Sequence, residues 1–223
     1  MLTAPAPAIT RSLFIFTVLY GGMVCIAGVL GAKQVTLGPM AVEAGIFPFL
    51  LLVVLSSAVA ELHGRETANR LVRYGFIPLV TAIALIWLVI QLPTDEGMYE
   101  PAKEAFPIIL GQSWRLMAAG IVAYGVSQFL NVYIFSKLRG SSEAKGVWLA
   151  GRAAIASAIS QIVDTLIFIT ISFYGVRDIG PLILGQGTAK VALSFVLVPI
   201  LITLLINLGR RLDRADGSSV SRT

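Results

Sequence analysis

Four ionisable residues stand in stretches of chain that offer them no aqueous surroundings. Asp164 lies in the middle of the apolar run Val147–Tyr174, and Lys190 lies inside the run Pro181–Leu208. Arg152 and Arg115 sit near the starts of their own runs. A charge at the centre of a bilayer costs about 2.5–3.5 kcal/mol on insertion scales, so each of these groups needs a physical reason. Arg115 and Arg152 can lie along apolar surface and extend their heads to the interface. Asp164 is too short to do so. Asp164 and Lys190 admit two readings: an ion pair that locks two helices together, or part of a site for a polar guest.

A repeated pattern favours the second. Ser127-Gln-Phe-Leu-Asn131-Val-Tyr-Ile-Phe135 and Ser160-Gln-Ile-Val-Asp164-Thr-Leu-Ile-Phe168 both read S-Q-x-x-[N/D]-x-x-I-F. On a helix, an amide and an Asn or Asp three residues apart, with Phe four beyond, share one face. Copies on consecutive spans run antiparallel, as in the inverted repeats of transporters, whose sites lie near the midplane. Phe168 can stack on a flat heterocycle. The Asp164 carboxylate can accept from two adjacent N–H donors, and the amides of Gln128, Asn131 and Gln161 can donate and accept. A guanine-like edge, with a ring N–H beside an exocyclic amine, fits that set. Interhelical hydrogen bonding, worth about 0.6 kcal/mol on average, is the plainer use of the same amides.

Helices through lipid must position these residues. Of the 223 residues, 57% are hydrophobic and 13% charged, against about 45–50% and 25% in a soluble domain. Runs of roughly 20 apolar residues span a bilayer. Five qualify: Ser12–Ala32, Gly75–Leu92, Trp114–Ser136, Val147–Tyr174 and Pro181–Leu208. A sixth, Ile46–Ala60, is shorter; it spans with tilt or is partly re-entrant, and the charge pattern favours a full span. The fold class expected is all-α: a polytopic membrane protein with six transmembrane helices in one domain, 1–223. Within it, 1–11 forms a cytoplasmic tail, 12–208 the bundle and 209–223 a basic cytoplasmic tail. Arg11, Arg65, Arg70, Arg73, Lys137, Arg139, Lys145, Arg210, Arg211, Arg214 and Arg222 fall on one side, and Lys33, Lys103 and Arg177 on the other. That bias of eleven to three places both termini in the cytoplasm of an inner (plasma) membrane protein.

Between the first two spans, two short β-prone stretches flank Gly38-Pro39, a turn or small hairpin. Arg65–Tyr74 reads as a charged connector or short basic helix at the inner surface. The first run is longer than the apolar core of a signal peptide and reads as a retained helix. The net charge of +5 is explained by cytoplasmic loops, with no basic stripe for nucleic acid. Cys25 and His63 are the sole cysteine and histidine, and no HExxH, GxSxG or phosphate-loop motif occurs. The expectation is therefore no enzyme, no metal and no cofactor. The expected partners are membrane lipid and a small purine-like molecule, with a homo-oligomer left open.

The residues that carry a family likeness are Ala32-Lys33 with Gly38, Phe47-Pro48, Glu61-Leu-His-Gly64 with Ala68, and Arg115. To these add Ser127-Gln128 with Asn131, Trp148-Leu149 with Arg152, Ser160-Gln161 with Asp164-Thr165 and Phe168, and Lys190 before Pro199. With these the chain resembles the queuosine precursor transporter family, also called the vitamin uptake transporter family. The resemblance implies six spans and import of a 7-deazaguanine, such as 7-cyano- or 7-aminomethyl-7-deazaguanine, for tRNA modification. It implies substrate contacts at Gln128, Asn131, Arg152, Gln161, Asp164, Phe168 and Lys190. The chain departs from that pattern at Gly28, where an Asn is usual, at Ser57, where the family is acidic, and at Asn131, where Asp is common. The alternatives are a substrate-binding subunit of an ATP-driven vitamin uptake system, a transporter for another flat heterocycle, and an assembly protein.

Overall fold

A computed structural model describes residues 9–38, 40–112, 114–139, 146–176 and 178–220. Lys145, Arg177 and Arg222 of the charge pattern, Pro39 of the expected turn, and residues 1–8 lie outside the described residues. The elements in chain order are α1 (Arg11–Gly31), β1 (Gln34–Leu37), β2 (Met40–Glu43), α2 (Ile46–His63), α3 (Arg65–Gln91), α4 (Glu100–Leu110), α5 (Trp114–Lys137), α6 (Val147–Phe173) and α7 (Gly180–Val220). Six of these helices, all but α4, are long and apolar enough to cross a membrane. The protein is an all-α polytopic membrane protein with one small hairpin. β1 and β2 pair antiparallel, Val35 opposite Val42 and Leu37 opposite Met40, and Gly38 takes the positive φ of 59° that the tight turn needs.

α2 is the axis of the bundle. Ile46–His63 has 18 residues, long enough at 1.5 Å per residue for about 27 Å of hydrocarbon, so the short sixth run is a full span. It is also the most enclosed: 67% of its apolar window is buried, against 6% for α3. It packs on α1, α3, α5, α6 and α7. The lipid-facing helices expose their large apolar side chains instead, as α3 does with Ile77, Leu85 and Trp87.

Three elements differ from expectation. Arg65–Tyr74 is not a separate surface segment but the first part of the 27-residue α3; the break falls at Gly64, whose φ of 86° ends α2 and starts α3. α7 does not stop near Leu208 but continues through Val220, since no proline interrupts Arg210–Ala215. Glu100–Leu110, in the stretch between the expected spans Gly75–Leu92 and Trp114–Ser136, forms the additional helix α4, too short to span and started by Pro101 in its first turn.

The two ends of the bundle are closed differently. At the end bearing the termini, the Ser12 hydroxyl donates to Asp213 Oδ2 at 2.8 Å and lies 2.7 Å from His63 Nε2. A hydroxyl has one proton; Ser12 directs it to the carboxylate, so His63 Nε2–H is the donor to Ser12. This ties the start of α1 to the ends of α2 and α7. At the opposite end Arg115 does not snorkel. Its guanidinium donates to the carbonyls of Ile171 and, at 2.7 Å, Tyr174, satisfying carbonyls that the end of α6 leaves without an intrahelical donor.

Close helix approaches fall on glycines, as bundles in lipid require. Gly28, in the small-residue spacing with Ala32, has open space around it, whereas a Cβ on Gly45 would sit 2.8 Å from the Ala27 carbonyl oxygen. At Gly75 of α3 a Cβ would lie 2.1 Å from Tyr124 Oη and 2.8 Å from the Tyr20 ring. Substituting Gly75→Ala should therefore lower thermal stability by about 1–3 kcal/mol through overpacking. Gly22→Ala, at a position with nothing near, should be neutral or stabilising by up to about 1 kcal/mol. Unfolding of the two purified variants side by side checks the contrast.

Candidate functional site

The bundle encloses a cavity of about 420 Å³ in the half remote from the termini. α1, α2, α3, α5, α6 and α7 all contribute to its wall, and β2 with the Ile108–Leu110 end of α4 borders its outer side. Gln112, just past α4, donates to the Gly28 carbonyl at 2.8 Å, tethering that loop across to α1. Most of the lining is aliphatic. The polar lining groups include Tyr124, Asp164, Gln186 and Lys190, with Glu43 at the hairpin side.

Asp164 and Lys190 form an ion pair at 2.7 Å between α6 and α7. The second carboxylate oxygen accepts the Ser127 hydroxyl of α5 at 3.2 Å. This pair is not sealed in solid protein: both residues face the cavity, and the Lys190 side chain keeps 12% of its exposure. Lys190 Nζ also lies 5.6 Å from the centre of the Phe49 ring, a cation–π distance. A carboxylate has about four lone-pair sites and an ammonium three protons. Ser127 and Lys190 use two of the former, and Asp164 one of the latter. Both groups thus retain capacity toward the cavity. Phe168 and Phe49 supply aromatic surface beside them.

The other candidate residues lie elsewhere. Gln128, Asn131 and Gln161 are fully buried but do not line this cavity; each sits about one turn or more nearer the terminus-bearing end. Gln128 Oε1 accepts from Ser56 at 3.3 Å and Tyr20 at 3.5 Å, and Tyr20 and Tyr124 are joined at 3.0 Å. Asn131 Nδ2 reaches Ser57 at 3.0 Å and Ser56 at 3.2 Å. Both polar atoms of Gln161, Gln128 Nε2 and Asn131 Oδ1 have no hydrogen-bond partner among the described residues. Arg152 does not snorkel either. Its side chain is fully buried and pairs with Glu61 of α2, and it lines a second pocket, of about 470 Å³, at the terminus-bearing end.

Along α2, α5 and α6 the order is the same. The cavity is lined down to Leu52, Tyr124 and Asp164, and the second pocket begins at Ala60, Tyr133 and Arg152. Ser56, Ser57, Gln128, Asn131 and Gln161 lie between these limits, as a polar septum with the two pockets on either side. The two S-Q repeats meet, but not symmetrically. Ser127 bonds Asp164, whereas Ser160 turns to the Ser157 carbonyl at 2.9 Å.

Sequence reasoning missed Phe49, Tyr124 and Gln186 as cavity residues. Gln186 carried a readable signal: a polar residue in an apolar run, one helical turn before Lys190. Phe49 and Tyr124 carried none, because aromatic residues are ordinary in such runs.

A family model described as "Putative vitamin uptake transporter" matches residues 43–204. The chain is 27% identical over 150 residues to the "Probable queuosine precursor transporter" of Bacillus subtilis (strain 168), covering 65% of this chain and 62% of that protein. It is 25% identical over 134 residues to the "Queuosine precursor transporter" of Escherichia coli (strain K12), covering 60% and 56% respectively. A "Probable queuosine precursor transporter" of Haemophilus influenzae matches at 25% identity over 134 residues, 59% of this chain and 51% of that protein. The chain therefore spans between about half and three-fifths of the length of these curated relatives. No solved structure matches the chain.

The two buried pairs should respond differently to loss of a carboxylate. Glu61→Gln leaves the Arg152 guanidinium buried without its counter-charge, a loss of about 3–5 kcal/mol. Asp164→Asn frees Lys190 to turn into the cavity, so its loss in thermal stability should be clearly smaller. Equal losses would mean that Asp164 serves packing alone.

Proposed function

We propose that this chain, which belongs to the vitamin uptake transporter family, carries a flat nitrogen heterocycle of the 7-deazaguanine type into the cytoplasm. The observation that carries the reading is the Asp164–Lys190 pair, set on the wall of a cavity of about 420 Å³ with Phe49 and Phe168 beside it. The names of the relatives support the solute class, and the chemistry of the site supports it independently. A ring N–H and exocyclic amine side by side donate to Asp164. A ring carbonyl next to them accepts from Lys190. The heterocycle lies against phenyl rings, where offset or edge contact adds about 0.5–1.5 kcal/mol. Volumes of about 300–1,000 Å³ are typical of sites that enclose small organic ligands.

The pair also removes a cost of transport. With Asp164 and Lys190 neutralising each other, the cavity has little net charge at its polar wall, so a neutral base can enter without a charge left unmatched. Donors of the solute then strengthen contacts to a carboxylate already held in place by Ser127. With both termini cytoplasmic and the chain in the plasma membrane, the cavity faces outward, behind the hairpin and α4. Release inward requires opening of the polar septum at Ser56, Gln128, Asn131 and Gln161, where the partnerless amide atoms of the last three can bond a polar ring as it passes. The pathway needs a transporter of alternating access and no chemical step.

Uptake of labelled 7-deazaguanines by cells that cannot make them tests the reading. Wild type should restore uptake. Asp164→Asn should reduce it tenfold or more, since a hydrogen bond to a charged group contributes about 1.5–3 kcal/mol, while the protein remains abundant in the membrane. Parallel loss of uptake and abundance, or co-purification of the active protein with an ATPase, would overturn it.

A further inference from the structure

The second pocket is unlike the first. It lies at the terminus-bearing end, between the ends of α2 and α5 and the starts of α3 and α6, and is a half-open pocket of about 470 Å³. Arg65, Lys137, Arg139 and Arg152 line it, and Glu61 is the one carboxylate among its described lining residues. Glu61 is already engaged. It pairs with Arg152 Nη2 and lies 4.0 Å from Arg139 Nε. Three positive charges therefore remain in formal excess.

The donors left over belong to residues that line this pocket. Arg152 is fully buried and stacked on Phe135 at 4.2 Å, so its guanidinium plane is fixed. Its Nε–H and Nη1 have no hydrogen-bond partner among the described residues. The buried hydroxyl of Ser136, another lining residue, is also without one among those residues. At the rim, Arg65 and Lys137 flank the Tyr133 ring at 5.0 and 5.5 Å. A buried guanidinium with two open N–H groups, a hydroxyl, and long flexible cations at the rim match a tetrahedral oxyanion; a planar fork of N–H donors suits phosphate in particular. A flat heterocycle would gain little in this pocket, because the donors outnumber the acceptors.

We propose that this pocket binds a phosphate group, with Arg152 and Ser136 as its fixed contacts and Arg65, Lys137 and Arg139 as its electrostatic rim. Its position at a bundle end puts it at headgroup depth, where basic pockets between spans hold anionic lipids. A soluble phosphate compound presents the same chemistry. The inference is independent of the solute carried in the first cavity.

Full-length protein in phosphatidylcholine nanodiscs provides the test, with thermal midpoint as readout against added phosphatidylglycerol or inorganic phosphate. Phosphatidylglycerol should raise the midpoint of wild type, and the triple variant R65Q/K137Q/R139Q should need at least tenfold more for the same rise. Arg152→Lys, which keeps the charge beside Glu61 but not the planar fork, should show the same loss, and it serves as a second probe if the triple variant folds poorly. A rise given by inorganic phosphate and weakened in the same variants upholds the site with a soluble ligand. No rise with either probe, or a rise undiminished in both variants, overturns the proposal.

Discussion

Hydrocarbon offers no hydrogen-bond partner, and this constraint accounts for most of what the bundle does with its polar residues. Asp164 and Lys190 lie deep between helices, Glu61 and Arg152 are buried near one end of the bundle, and each carboxylate meets a cation on another helix. Arg115 is spent on the carbonyls at the end of α6. α2, which carries Ser56, Ser57 and Glu61, is shielded from lipid by five other helices. The outer helices present aliphatic surface, and the polar groups collect inward along one line through the protein.

That line holds two different environments. The Asp164–Lys190 pair borders a largely aliphatic cavity with Phe49 and Phe168 in its wall, the site proposed above for the carried heterocycle. The Glu61–Arg152 pair borders a cationic pocket with little aromatic surface beyond Tyr133 and Phe135. Between them the septum is built from hydroxyls and amides, which can exchange partners at lower energetic cost than ion pairs can. The ion pairs on either side of it join α2 to α6 and α6 to α7.

The number of spans, the hairpin and the special standing of Asp164 and Lys190 were legible because each has a local signature: run length, turn residues, a charge in lipid. Other features had none. Glu61 and Arg152 are 91 residues apart, and nothing near either one indicates the other. Helical spacing placed Gln128, Asn131 and Gln161 on buried faces, where they are found. Spacing gives the direction of a side chain but not its depth relative to a cavity floor, so it does not separate them from Asp164, about one turn farther out. α4 was hidden because its apolar stretch is short and lies among the acidic residues Asp95, Glu96, Glu100 and Glu104. The charged and apolar halves of α3 look like two segments in sequence. In the structure the break is set by Gly64, and α3 runs unbroken from Arg65 through Pro78 to Gln91.

The sequence separations of the two pairs also set an order of assembly during synthesis. Asp164 and Lys190 are 26 residues apart, on adjacent antiparallel helices, so at about 5–20 residues per second the cation follows the carboxylate within roughly one to five seconds. α6 and α7 can enter the bilayer as a hairpin already neutral at its centre. Glu61 waits through 91 residues for Arg152, about 5–18 seconds at the same rates. Its place two residues from the end of α2 lets it remain among headgroups and water meanwhile. The central helix of the finished bundle is thus one whose charge is matched late, when its arginine arrives.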